Sequence, residues 1–280
     1  MTTPDWRPRL AALGIEPSGE PMPLAGGDIA AVWRLETHQG AIVIKRDDPA
    51  RLAGEADGLA ALRGADTPLV VPEVLGRDGD LLVMEALDPA PGDGAAERAL
   101  GEGLRALHAV TGERHGWERD NACGLTPQSN APCADGRIFQ RERRLLALGQ
   151  ACAGKGLLDD AAYEALAEVA QRLEDWLPDC RPSLVHGDLW SGNVFHTLRG
   201  PALIDPAVYR HYPEVDLAMF TLFGTPSEAF FEAYWDGREP EDWPRRRTLF
   251  QLYPLLNHLL LFGAGYRGAV LRAIESLRSF

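Results

Sequence analysis

The sequence predicts an α+β chain in two lobes, an N-terminal lobe of antiparallel sheet with one main helix and a mostly helical C-terminal lobe. Three observations carry that expectation. Short β-branched and apolar runs bounded by Gly, Pro and Asp crowd residues 1–87. A Pro- and Gly-rich break, Asp88 to Gly94 (DPAPGDG), follows them. Beyond it, in residues 88–280, apolar side chains recur at helical spacing, as at Leu100, Leu104 and Leu107.

With 280 residues, the chain is long enough for a substantial core and falls where one domain often divides into lobes. A 45% hydrophobic and 25% charged composition is that of a soluble globular protein. The net charge of −13, from 41 acids and 28 bases, opposes binding to nucleic acid and to anionic membrane. Cys123, Cys133, Cys152 and Cys180 form no CxxC pair, so a zinc ribbon and a thioredoxin-like motif are not indicated. The first residues, MTTPDWRPRL, lack a basic region followed by an apolar one. Leu252 to Phe262 is interrupted by Pro254, Asn257 and His258 and is too short to span a bilayer. The expectation is a cytoplasmic protein with reduced thiols, its oligomeric state left open.

Residues 1–20 are expected to hold a helix with Leu10, Leu13 and Ile15 as apolar positions, ending near Gly14. Leu24 to Leu35 (LAGGDIAAVWRL) reads as strand, glycine turn, strand. Gly26 and Gly27 permit close backbone approach to a ligand, so their N–H groups could cradle phosphate oxygens; an ordinary hairpin turn is the other reading. Ala41 to Lys45 is a third strand ending in a lysine. Ala50 to Arg63 sets Leu52, Ala56, Leu59 and Leu62 near helical spacing, with Glu55 among them. Singly, Lys45 and Glu55 are surface charges; in order with the motif described below, they are expected to pair. Val70 to Leu75 and Asp80 to Leu87 are two strands about an Asp78-Gly79 turn, the second being the central strand.

Past the break, Ala95 to Val110 is a helix closing with His108, a packing or capping residue because no metal partner stands three or four residues away. His115 to Leu146 contains a long polar loop, and loops of that length are functional or disordered. Leu157 to Trp176 reads as one amphipathic helix with Tyr163, Leu166, Val169, Leu173 and Trp176 on its core stripe. Within Pro213 to Phe223, Asp216 either caps a helix or binds backbone or substrate groups of the preceding loop. Arg245 to Arg247 is a solvated helix face, and Phe250 to Tyr266 is mostly core.

The densest chemistry lies in Pro182 to Pro206, PSLVHGDLWSGNVFHTLRGPALIDP. Ser183 to Val185 and Ala202 to Ile204 read as the strands of a hairpin-like pair, which would release Asp188, Asn193 and Asp205 into one cleft. Three oxygen donors suit a hard cation such as Mg²⁺ that keeps some water and leans on substrate phosphates. Turn formation without any ligand is the other reading of Asp, Asn and Gly in a loop.

HGDLWSGN followed by an apolar run ending in Asp-Pro resembles the catalytic and metal segments of aminoglycoside- and choline-type phosphotransferases. With Trp190-Ser191-Gly192 inside it, the stretch is most similar to the fructosamine kinase (ketosamine-3-kinase) family. Gly116-Trp117, Asp120-Asn121, Gly124, Thr126-Pro127-Gln128, Asn130, Phe139 and Glu142-Arg143-Arg144-Leu145 resemble that family rather than its relatives. One departure is Cys133, where family members commonly carry an aromatic residue, and it bears on substrate preference.

The resemblance, which covers nearly the whole chain, implies a protein-kinase-like fold and ATP-dependent phosphorylation of the 3-hydroxyl of a ketosamine or glycated amine, serving deglycation. It implies Asp188 as the catalytic base, Asn193 and Asp205 as Mg²⁺ ligands, and Lys45 on the α and β phosphates with Glu55 orienting it. Gly26 and Gly27 would lie at the phosphates, and Met84, Glu85 and Ala86 of LVMEAL beside adenine as the hinge. Gln128, Asn130, Trp190 and Asp216 are substrate-contact candidates, and His186 is expected to orient the loop by hydrogen bonds. After Asp205 the chain reads Pro-Ala where a protein kinase has Phe-Gly, which points to a small-molecule acceptor. A kinase of another sugar, aminoglycoside or amino alcohol is the alternative on the same scaffold. A nucleotide-binding pseudokinase is the non-enzymatic one, against which the intact lysine, base and metal positions argue.

Overall fold

Alternation of side chains between two apolar surfaces organises the first part of the chain, in a computed structural model that describes residues 6–24 and 30–280. Strands β1 (Met22–Pro23), β2 (Ala31–Thr37), β3 (Gly40–Arg46), β4 (Val74–Asp78) and β5 (Leu81–Glu85) form a five-stranded antiparallel sheet in the order β1-β2-β3-β5-β4. Successive side chains of a strand point to opposite faces. Ile42, Ile44, Leu81 and Val83 therefore meet Trp6 and Leu10 in one small core, Leu10 lying on α1 (Arg7–Ala12). On the other face Val43, Leu82 and Met84 join Leu52, Leu59 and Leu62 of α2 (Pro49–Arg63). Lys45 is two residues from Val43 and so is directed at α2. The expected Gly26-Gly27 turn lies outside the described residues. Although β5 is paired on both sides, β3 holds the middle of the sheet, because β1 and β2 add beyond it.

Asp48 caps α2 by accepting from the N–H groups of Ala50 and Arg51, with Pro49 at the first helical position. Leu52, Glu55, Leu59 and Leu62 recur in steps of three and four, which turns Glu55 inward with the leucines. The same helix meets the later part of the chain through small residues. A Cβ on Gly58 would stand 3.1 Å from Pro206 and 3.2 Å from Val208, and one on Gly54 would stand 3.1 Å from Asn121.

After the loop at residues 86–93, α3 (Gly94–His108) begins at an Asp93 cap and buries Leu100, Leu104 and Leu107. The stretch expected as a long polar loop is ordered. Its middle is a hairpin, β6 (Asn121–Cys123) with β7 (Thr126–Gln128), turning at Gly124 with φ +62°. Buried Arg144 then holds the stretch to the core, donating to Ser129 O at 2.9 Å and Asn130 Oδ1 at 2.7 Å. Its guanidinium lies over the rings of Phe139 and Tyr209. Arg144 belongs to a π-helical turn (Gln140–Leu146) between α4 (Gly136–Phe139) and α5 (Ala147–Gly154).

The single helix expected over Leu157 to Trp176 is instead α6 (Asp160–Ala170) and α7 (Leu173–Trp176). Both pieces bury the same stripe, so periodicity alone did not reveal the break at Gln171 and Arg172. A second correction concerns Ser183 to Val185 and Ala202 to Ile204, which do not pair. β9 (Val194–Thr197) turns directly back into β10 (Gly200–Leu203), while β8 (Ser183–Val185) receives the returning β11 (Tyr209–His211). Local hairpin closure claims β10 first. β10 is also laced to the segment before β4, since Val70 N–H donates to Pro201 O at 2.8 Å and Leu203 N–H to Val70 O at 2.9 Å.

The remainder is helical: α8 (Glu214–Phe220), α9 (Glu228–Trp235), α10 (Trp243–Phe262) and α11 (Arg267–Arg278). Arg246 is not solvated as expected but half-buried, donating to Glu214 at 2.6 Å and Asp242 at 2.8 Å. Among the described residues no helix is long and apolar enough to cross a membrane.

Where α3 crosses α9, a Cβ on Gly101 would stand 2.4 Å from the Phe230 carbonyl oxygen. Gly101→Ala is expected to cost about 1–3 kcal/mol by overpacking, read as a lower urea midpoint at unchanged m.

Candidate active site

Lys45 reaches across the gap between sheet and α2. Its Nζ lies 2.8 Å from Glu55 Oε2 and 3.1 Å from Asp205 Oδ1. Burial alone would lower the lysine pKa, but the charges of Glu55 and Asp205 outweigh it and hold the ammonium charged above its usual range. Burial pushes the Glu55 carboxyl up, opposed by Lys45 and reinforced by Asp205. The second oxygen of Glu55, Oε1, is buried and has no partner among the described residues. Asp205 follows β10 with φ +53°, a left-handed conformation that Asp tolerates better than most residues and that recurs at functional sites.

Asp188 is carried by a loop that is fixed from beneath. The buried Asp216 carboxylate of α8 accepts the N–H groups of His186 at 2.7 Å and Gly187 at 2.9 Å, and stands 3.1 Å from His108 Nε2. His108 Nδ1 in turn meets Tyr234 OH at 2.7 Å. His186 spans the loop: its Nδ1 accepts the Asp188 N–H at 3.3 Å and its Nε2 lies 2.9 Å from Ile204 O. Burial lowers the His186 pKa, consistent with a neutral ring that donates from Nε2. Gly187 has φ +83°, and a Cβ there would stand 2.1 Å from Ala207 O, so the position requires glycine. The Asp188 carboxyl is raised to about 7, chiefly by burial, with the nearby Cys123 opposing the shift and the charges of Asp205 and Asp216 raising it further.

Asn193 closes the loop. Its Nδ2 donates to Asp188 O at 2.9 Å, which turns Oδ1 to the opposite side as a free acceptor. Asp205 has one carboxylate oxygen on Lys45 and another beyond it. Among the described residues no cluster of three His, Cys, Asp or Glu could hold a metal. One carboxylate plus one amide oxygen nevertheless fits Mg²⁺, which takes few protein ligands and completes its shell with water and phosphate.

The other expected site residues divide. Met84 is buried in β5, and the N–H groups of Glu85 and Ala86 donate to Glu73 O at 2.8 Å and Ala41 O at 3.1 Å. Those two N–H groups are therefore occupied by backbone oxygens. The Glu85 side chain pairs with Arg199 at 2.8 Å. Of the substrate candidates, only Trp190 is exposed, its ring stacked over Gly192. Asn130 is fully buried, taking Arg144 on Oδ1 and donating to Asn121 at 2.8 Å. Gln128 is buried against Tyr253 OH at 2.7 Å. The Asp216 oxygens are occupied by the loop, so its role is to bind backbone and neither to cap α8 nor to face a ligand. Cys123, Gln140, Tyr209, Tyr253 and Asn257, which line one pocket with Asp188, were not singled out. The signal for Asn257 was its place on the core side of an apolar helix, where a polar group needs a reason.

A fructosamine kinase family model matches residues 16–279. A probable ketoamine kinase of Thermus thermophilus is 36% identical over 280 residues, covering 95% of this chain and 97% of that protein. The crystal structure of a Thermobifida fusca protein described as a fructosamine-3-kinase is 32% identical, covers 99% of each chain and superposes with a TM-score of 0.89. An aminoglycoside phosphotransferase structure, in complex with AMP-PNP and hygromycin B, shares the fold at 17% identity and a TM-score of 0.66, with 97% of this chain and 99% of that one covered.

The anchoring of the loop can be tested through stability. Asp216→Ala leaves two buried N–H groups without an acceptor and is expected to cost about 3 kcal/mol in urea unfolding. Asp216→Asn, which keeps one acceptor oxygen, should lose less.

Proposed function

Since the chain belongs to the fructosamine kinase family, we propose that it transfers the γ-phosphoryl group of ATP to the 3-hydroxyl of a ketosamine, with Asp188 as the base. Its fold is the two-lobed, protein-kinase-like one, and we take residues 1–87 and 88–280 as the lobes. The observation that carries the reading is the meeting of Lys45, Glu55 and Asp205 within 3.1 Å. Such a cluster is the charge arrangement that phosphate binding needs, and it sits beside a loop that presents a carboxylate of raised pKa.

In this reading the Asp188 carboxylate accepts the hydroxyl proton as that oxygen attacks phosphorus. Lys45 neutralises phosphate oxygens, and Glu55 keeps its ammonium in place. Asn193 Oδ1 and the Asp205 carboxylate would hold Mg²⁺, which would supply further charge neutralisation at the phosphate oxygens. Phosphoryl transfer asks for positioning above all, which the Asp216 anchor and the His186 strut supply. Only the ionised base accepts a proton, so turnover is lost as pH falls through the titration of Asp188. The resulting 3-phosphate would lead to release of the amine, a deglycation role.

The test is ADP release by the purified protein with ATP and Mg²⁺ over fructosyl-lysine, ribulosyl-lysine, choline and an aminoglycoside. Turnover with a ketosamine is expected; turnover with choline or the aminoglycoside alone would overturn the reading. Asp188→Asn is expected to retain nucleotide binding and to lose about 10²–10⁴-fold in kcat. A near-native rate in that variant would remove Asp188 from the base role.

A further inference from the structure

The pocket beside Asp188 is walled by the β6–β7 hairpin, the π-helical turn, β11, α8 and α10. Much of its lining is apolar or aromatic, with Met219, Phe250 and the rings of Tyr209 and Tyr253. Two amide side chains interrupt that lining. Asn257 is 2% exposed and Gln140 1% exposed, yet Asn257 Oδ1 and Gln140 Nε2 have no hydrogen-bond partner among the described residues. The orientation of Asn257 is set by its other end, where Nδ2 lies 3.3 Å from the Cys123 carbonyl oxygen and 3.5 Å from Cys123 Sγ. A carbonyl only accepts, so the amide keeps Nδ2 there and turns Oδ1 away. Gln140 Oε1 lies 2.9 Å from His211 Nε2, which leaves its Nε2 as a donor. A buried acceptor and a buried donor left unpaired are both unfavourable. A ligand hydroxyl, which both donates and accepts, can satisfy either of them.

We propose that Asn257 is a specificity-determining residue of the acceptor site: its Oδ1 accepts a hydrogen bond from a second hydroxyl of the acceptor, one that is not phosphorylated. Gln140 Nε2 donates to a hydroxyl of the same molecule. The inference rests on the ketosamine-kinase reading and narrows it. Cys123 links the two groups, because its carbonyl and thiol hold Asn257 while the residue lines the same pocket as Asp188. Asp188 and Asn257 thus face one pocket. An amino alcohol with one hydroxyl and a methylated ammonium has no second donor and leaves Oδ1 unpaired. The pocket therefore selects a polyhydroxylated carbon chain.

The experiment compares fructosyl-lysine with analogues that each lack one hydroxyl other than the phosphorylated one, in the wild-type enzyme and in Asn257→Ala and Asn257→Ser. In the wild type, loss of one such hydroxyl is expected to lower kcat/KM by about 10- to 100-fold. Asn257→Ala is expected to lower kcat/KM for the parent by a similar factor and to make parent and that analogue equal substrates, with KM for ATP unchanged. The proposal is overturned if every analogue reacts within about threefold of the parent in the wild type, whatever the variants do. It is equally overturned if the variants lose rate on parent and analogue alike while keeping the preference, since Asn257 would then be structural. Failure of the wild type on every ketosamine, with turnover of choline, is a different result: it sinks the activity reading and the polyol site with it.

Discussion

Lys45 is a cation on a side chain only 11% exposed, and a charge so placed is tolerated only if it is paired. Its partners come from separate parts of the chain, Glu55 from α2 and Asp205 from the segment after β10. The pairing therefore imposes conditions on everything around it. The register of β3 must put Lys45 on the α2 face, α2 must turn Glu55 inward, and β10 must deliver Asp205 at the same point. Gly58 helps α2 and the segment after Asp205 approach each other, since a Cβ there would stand 3.1 Å from Pro206 and 3.2 Å from Val208. The Val70 hydrogen bonds to β10 meet the last, fixing the strand whose end is Asp205.

A second buried charge performs the same service for the loop. Asp216 gathers two backbone N–H groups and His108, and so sets where Asp188 stands. The two buried carboxylates differ in their surroundings. Asp216 is surrounded by donors, whereas Asp188 is buried with few of them and near other negative charges, which raises its pKa toward the range useful to a base. Asn130 follows the first pattern, bonded to Arg144 and Asn121, whereas Gln128 is bonded to Tyr253 through its nitrogen alone.

Much of this was legible because it is local or periodic. The β-branched and apolar runs marked four of the five sheet strands, the helical spacing of Leu52, Ala56, Leu59 and Leu62 marked α2, and the Pro- and Gly-rich stretch after Leu87 marked the passage to helices. Lys45 and Glu55 were legible as a pair only through their order relative to the HGD motif. What failed was partner choice. Ser183 to Val185 and Ala202 to Ile204 are both strands, but nothing local in either tells it to pair with β11 or with β9. The partners of the Glu85 and Ala86 N–H groups, Glu73 O and Ala41 O, are likewise remote in sequence.

By itself the sequence marked most of the elements and the residues on which the proposed function rests, Lys45, Glu55, Asp188, Asn193 and Asp205, since chemistry resides in residue type and spacing within a motif. Only the tertiary structure decided which polar residues face a ligand. A buried Asn is the same letter whether its oxygen is bonded, as in Asn130, or free, as in Asn257. The difference lies in what the fold packs against it: Arg144 satisfies one, and a pocket beside the base leaves the other open.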